Sequence, residues 1–157
     1  MNIKLVVVGK TDMDYIAEGV EEYLKRLKHY IGFELVVIPA LRDAGQCSPE
    51  RVKQREAELI LKQLEHADRV VLLDEKGKEY SSVGFSQMLQ KEMNSGIRTL
   101  MFVIGGAYGF DASVYAKAHA QLSLSQMTFN HQMVRLFFVE QLYRAMTILR
   151  GEKYHNA

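Results

Sequence analysis

The chain has 157 residues, 48% hydrophobic and 25% charged, with 20 basic against 19 acidic side chains and a formal net charge of +1. That length suits one domain, residues 1–157, with a core of its own. The near-neutral balance argues against an indiscriminate nucleic-acid binder, which must neutralise many phosphates. Cys47 is the only cysteine, which excludes an internal disulfide and a cysteine-rich zinc site. No segment reaches the apolar length of a membrane span, and the opening "MNIKLVVVGK" is too short for a secretory leader. The expectation is a soluble, cytoplasmic protein with no metal and no membrane partner.

"IKLVVVG" (3–9) is a β-branched run closed by glycine, the pattern of a buried strand. Thr11 is placed to cap a helix, with Asp14 three residues on and Ile16, Val20, Tyr23, Leu24, Leu27 and Ile31 at helical spacing. "FELVVIP" (33–39) predicts a second strand. Ser48-Pro49 then starts a charged helix running to about residue 65, with the serine as cap and the proline in the first turn. "RVVLLD" (69–74) predicts a third strand. Ser81 or Ser82 caps the next helix, which buries Phe85, Met88, Leu89 and Met93 and stops at Gly96. "TLMFVIGG" is a fourth strand, a short helix follows near 111–118, and "QLSLS" suggests a fifth strand. A last helix covers about 130–149. Strands alternating with helices imply an α/β domain, a parallel sheet with helices on both faces.

Function concentrates at the end of the fourth strand. In "VIGGAYGF", Gly105, Gly106 and Gly109 follow an apolar run directly. Ligands of open α/β sheets sit beyond the carboxyl ends of strands, and glycine there permits positive φ and lets a ligand approach the backbone. A tight turn with no ligand explains the glycines equally well. The phosphate-loop motif is excluded because Phe110 follows Gly109, and the dinucleotide fingerprint because the first strand's turn holds one glycine.

Downstream, "LSLSQMTFNHQMVRLFFVEQLYRA" packs Ser123, Ser125, Gln126 and Thr128 among apolar residues. These suit either a loop wrapping a small molecule or caps for the following helix. That helix is apolar around nearly its whole circumference, which predicts burial on both sides and a homodimer as the cover. Glu140 and Arg144, four apart on it, form a pair whose plain reading is mutual neutralisation. The tail "RGEKYHNA" adds Tyr154 and His155. It is either a solvated end or, if the dimer brings it over the other subunit's glycine turn, a source of a stacking ring and a titratable group.

Together "VVVGK", "EYLKRL", "LLDEKGKEYSS", "FVIGGAYGF", "MTFNHQMVRLFFVEQLYRA" and "RGEKYH" resemble the bacterial ribosomal RNA large-subunit methyltransferase H family, of the SPOUT class of knotted methyltransferases. The likeness runs over essentially the whole chain. It implies a SPOUT-type fold with a C-terminal trefoil knot, which periodicity does not reveal and general topology disfavours. It implies S-adenosyl-L-methionine as cofactor and N3 of a pseudouridine in 23S ribosomal RNA, within the assembled ribosome, as methyl acceptor. It also implies a homodimer. The cofactor contacts it implies are Leu73, Gly105, Gly106, Gly109, Leu124, Ser125, Gln126, Met127, Thr128 and Phe129. Arg144, Tyr154 and His155 fall to catalysis. Arginine stays protonated, which casts Arg144 as a stabiliser of the imide anion. His155 is a base or a substrate anchor, and Tyr154 a stacking surface. A non-catalytic nucleotide-binding regulatory dimer would keep the glycine turn but have no need of Tyr154 and His155.

Overall fold

The structure is a computed structural model, and it describes residues 1–156. Five parallel strands, β1 (Asn2–Val8), β2 (Gly32–Ile38), β3 (Arg69–Glu79), β4 (Thr99–Ile104) and β5 (Ala120–Ser123), form one sheet in the order β2-β1-β4-β3-β5. Four helices connect them, α1 (Asp14–Leu27), α2 (Pro49–Leu64), α3 (Ser82–Asn94) and α4 (Ala112–Lys117), with a 3-10 turn at Ala44–Gln46, and α5 (Met133–Leu149) follows β5.

The strand period of two sorts the core into two layers. Ile3, Leu5, Val7, Leu100, Phe102 and Ile104 face α1, α3 and α5. Val6, Val8, Met101 and Val103 face α2 and α4. Ser48 Oγ accepts the Arg51 N–H at 3.1 Å and Ser81 Oγ the Gly84 N–H at 2.9 Å, so both serines cap as their sequence positions predict.

Three expectations change. Thr11 does not cap α1, which begins after Met13. Its hydroxyl instead accepts from Arg135 at 3.1 Å. Arg135 is buried at the start of α5 and also donates to the carbonyls of Val8 at 2.7 Å and Gly9 at 2.8 Å. The turn after β1 is thus pinned to α5 from the inside. Secondly, β3 continues to Glu79: its ladder with β5 breaks after Leu73 and resumes at Lys78. "DEKG" therefore bulges at a strand end, a place where bulges redirect side chains. Thirdly, much of the cover for α5 comes from its own chain. Phe138, Val139, Leu142, Ala145 and Met146 are buried against α1, α3 and the sheet, while Met133 and Phe137 remain exposed.

Candidate active site

The carboxyl ends of β3, β4 and β5 open into a cavity of about 640 Å³. Leu73 and the bulge residues Asp74 and Glu75 form one wall, the turn from Gly105 to Gly109 another, and the segment between β5 and α5 a third. Of the residues assigned to the cofactor, Leu73, Gly105, Gly106, Gly109, Leu124, Ser125, Met127, Thr128 and Phe129 all line it, and Gln126 does not.

The glycines of the turn serve different ends. Gly109 has φ +82°, where a side chain is strained. Gly105 and Gly106 have no positive φ. Their missing side chains matter for space: a Cβ at Gly105 would meet Phe110 at 3.2 Å, and one at Gly106 would meet the Glu56 carboxylate at 2.5 Å. The Gly109 N–H donates to the Gly106 carbonyl at 3.1 Å and closes the turn.

The polar residues after β5 do not cap α5. Ser123 donates to the Ser125 carbonyl at 2.8 Å, and Ser125 Oγ accepts from the Met127 amide at 3.0 Å, which shapes the segment as a local hydrogen-bonded loop. Thr128 donates to Glu75, and Tyr115 of α4 donates to Asp74. Burial first, and then the bond to Asp74, push the Tyr115 hydroxyl up to about 12, so it stays a donor at neutral pH. Two carboxylates thus stand at the cavity edge, each already held by a hydroxyl. At the rear, Gln132 accepts the Asp12 N–H at 2.9 Å and ties the segment to the turn after β1.

Arg144, Tyr154 and His155 come together outside this cavity. Arg144 donates to Glu140 Oε1 at 2.6 and 3.1 Å, and Tyr154 donates to the same oxygen at 3.1 Å. The Tyr154 ring lies 4.8 Å from the guanidinium, and its hydroxyl is 3.1 Å from that of Tyr23 on α1. His155 Nδ1 sits 3.1 Å from an Arg144 nitrogen. A guanidinium can only donate, so Nδ1 accepts and the imidazole carries its proton on Nε2. The hydrogen bond to Glu140 raises the Arg144 pKa further, fixing its charge. Burial raises the Tyr154 hydroxyl well above the ordinary phenol range, with Tyr23 and Glu140 adding to the effect. The tail therefore packs on its own chain's α5. Glu140 links the cluster to a second hollow of about 420 Å³, which shares Leu122, Leu124 and Phe129 with the main cavity.

The family described as "Predicted SPOUT methyltransferase" matches residues 1–155. The chain belongs to the SPOUT methyltransferase family. Among curated relatives of this SPOUT chain, "Ribosomal RNA large subunit methyltransferase H" of Flavobacterium johnsoniae is 55% identical and that of Parabacteroides distasonis 53%, each over 156 residues and 99% of both chains. A solved probable methyltransferase from Bordetella pertussis superposes with a TM-score of 0.58 at 13% identity, covering 92% of this chain and 96% of its own. A probable methylase family protein from Haemophilus influenzae gives 0.55 at 12%, over 99% and 71%. At such identities these two bear on the fold alone.

Sequence reasoning missed several polar residues of this methyltransferase's site. Asp74 and Glu75 lay at the end of a predicted strand and were legible as polar, but not as bulge residues. Tyr23 reads as one apolar position among many on α1, and only the fold brings it to Tyr154. Glu56 reads as one charge among many on α2, yet it is buried. Among the described residues no group of acidic, histidine or cysteine side chains is arranged to hold a metal, and no helix is long and apolar enough to cross a membrane.

Proposed function

We propose that this chain is a cytoplasmic enzyme that methylates N3 of a pseudouridine in 23S ribosomal RNA, using S-adenosylmethionine and acting as a homodimer on the assembled ribosome. The observation that carries the reading is the single cavity on which the glycine turn, the end of β3 and the segment before α5 converge. The full-length likeness to relatives named as ribosomal RNA methyltransferases supports the acceptor class.

The cavity suits S-adenosylmethionine chemically. Leu73, Ile104, Leu122 and Leu124 offer an apolar floor, the glycine turn offers backbone, and Asp74 and Glu75 offer negative charge towards a cation. When bound, the cofactor supplies a methyl group already activated on a sulfonium. The protein's task is then to hold the acceptor nitrogen in line and to manage its proton. Arg144, held by Glu140, is in this reading the positive charge that stabilises the imide anion of the acceptor. His155, with Nδ1 engaged by Arg144, is better suited to anchor the substrate through Nε2–H than to act as its base. Tyr154 keeps its proton and orients the carboxylate that orients Arg144.

The whole chain forms one domain in this reading, and the trefoil knot belongs to it too. The path of residues 124–132 supports the knot: Thr128 bonds to the β3 bulge while Gln132 bonds to the turn after β1, so the chain passes back inward beyond β5. Exposed Phe137 and Met133 on α5 support the homodimer. The near-neutral charge favours recognition of a large preassembled particle by shape over binding of free RNA.

The test is incubation with labelled S-adenosylmethionine and either ribosomes or protein-free ribosomal RNA from a strain lacking the enzyme. Label should enter the RNA of ribosomes and not free RNA. Failure to label either would defeat the reading.

A further inference from the structure

Glu56 lies on the buried face of α2, 7% exposed, and its Oε1 has no hydrogen-bond partner among the described residues. An unpartnered buried carboxyl is costly, because it gives up water and gains nothing in return. Its surroundings say what it faces. A Cβ built on Gly106 would lie 2.5 Å from Oε2 and 2.7 Å from Oε1, so the carboxyl fills the space that the absent side chain leaves. Gly106 has no positive φ that would require glycine. A side chain at 106 would therefore displace the Glu56 carboxyl from its place beneath the turn. Gly106 also lines the main cavity, and Lys53, one turn earlier on α2, reaches the same cavity.

We propose that Glu56 is a positioning residue for the cofactor turn, its carboxyl supporting the Gly105–Gly109 backbone from beneath in the shape that binds S-adenosylmethionine. The inference rests on the cofactor reading above and adds to it a residue outside the cavity lining. Burial alone raises the Glu56 pKa, and among the described residues no ion pair reaches the side chain. A purely structural residue at this depth would be apolar and would stabilise the fold. A carboxyl here costs stability and stiffens the turn instead, the pattern expected where function is retained at the expense of folding.

The experiment compares wild type with Glu56→Leu and Glu56→Gln, measuring S-adenosylmethionine affinity by calorimetry and thermal unfolding of the ligand-free protein. Wild type must bind first; if it does not, the cofactor reading itself fails and this inference falls with it. Glu56→Leu should bind at least about tenfold more weakly while its unfolding midpoint is unchanged or raised, since an unpaired buried polar group has gone. Glu56→Gln, which fills the same space beneath the turn, should stay within about threefold of wild type. Should Glu56→Leu not fold, Gly106→Ala, which pushes the carboxyl away, should weaken binding by about tenfold or more on its own. Normal cofactor affinity in Glu56→Leu, or in Gly106→Ala if that variant is the one available, overturns the proposal. Parallel loss of affinity and stability with no rescue by glutamine also overturns it, because that is the behaviour of a residue needed only for folding.

Discussion

Tyr154 and Arg144 both donate to one oxygen of Glu140, at 3.1 and 2.6 Å, and the tyrosine ring lies 4.8 Å from the guanidinium. Ten residues apart in the chain, they form one unit built on a single carboxylate. The arrangement makes the tail part of the last helix's chemistry and predicts that its members fail together.

Deleting residues 154–157 should leave S-adenosylmethionine affinity intact, because none of Arg144, Tyr154 or His155 lines the cavity. Methyl transfer to ribosomes should fall by at least about a hundredfold, the lower range for a positioned acid–base or charge-stabilising group. Arg144→Ala should do the same, and the double variant should lose little more, since residues acting as a unit are not additive. Calorimetry and single-turnover methylation separate the two effects. Full activity in the truncated chain would contradict the role given to the tail.

Phe137 and Phe138, neighbours on α5, should answer the same substitution differently. Phe138 is fully buried, with Phe102 at 4.7 Å and Phe85 at 6.2 Å between ring centres. Phe138→Glu buries a carboxylate in that core and should abolish folding. Phe137 is 41% exposed and leans on Phe129. Phe137→Glu should fold, with a circular dichroism spectrum like wild type, and sediment as a monomer. A wild-type chain that is already monomeric at micromolar concentration would remove the homodimer.

Gly109→Ala places a side chain at φ +82° in otherwise open space. The left-handed conformation should cost about 1–2 kcal/mol, visible as a lower unfolding midpoint together with weaker cofactor binding. Gly105→Val acts by a different route. Its Cβ meets Phe110 and the Gly109 carbonyl carbon, so the turn itself must shift, and the lost affinity reports a broken turn as much as a blocked cavity.

Burial first, and then the charge of Arg135, lower the His131 pKa below the ordinary imidazole value. The unfolded chain therefore binds that proton more readily than the folded one. Folding stability should rise with pH across the interval from the lowered value to the ordinary one, and be lost as pH falls through it. His131→Gln should flatten this part of the stability–pH curve in chemical denaturation. An unchanged slope would assign the dependence to another group.

Much of the fold was legible because its strands are apolar runs and its helices carry a clear period. Ser48 and Ser81 cap where local sequence says they should, since a cap is decided within one turn. Thr11 failed as a cap for the opposite reason: a buried arginine more than a hundred residues away claims its hydroxyl. The extension of β3 was hidden by "DEKGKE", whose charges and glycine look like a loop and pair with β5 only after a register break. The cavity residues were reached through family likeness, with the glycines as the physical anchor. Periodicity could not have grouped the end of β3 with a loop some fifty residues later. The contact of Tyr23 with Tyr154, the bond of Tyr115 to Asp74 and the burial of Glu56 beneath Gly106 depend on tertiary approach, and no local pattern encodes them. The apolar circumference of α5 was read correctly as burial. α1, α3 and the sheet supply most of its cover within one chain, and the exposed Met133 and Phe137 are what is left for a partner.

Nucleoside analysis of 23S ribosomal RNA tests the proposed methyl transfer itself. Ribosomes from a strain lacking the enzyme would be treated with the protein and S-adenosylmethionine, and the RNA digested and resolved by chromatography with mass spectrometry. One new nucleoside is expected, pseudouridine methylated at N3, absent from untreated ribosomes and formed at least about a hundredfold more slowly with Arg144→Ala. A methyl group on another nucleoside, or none on the RNA at all, would contradict the proposal.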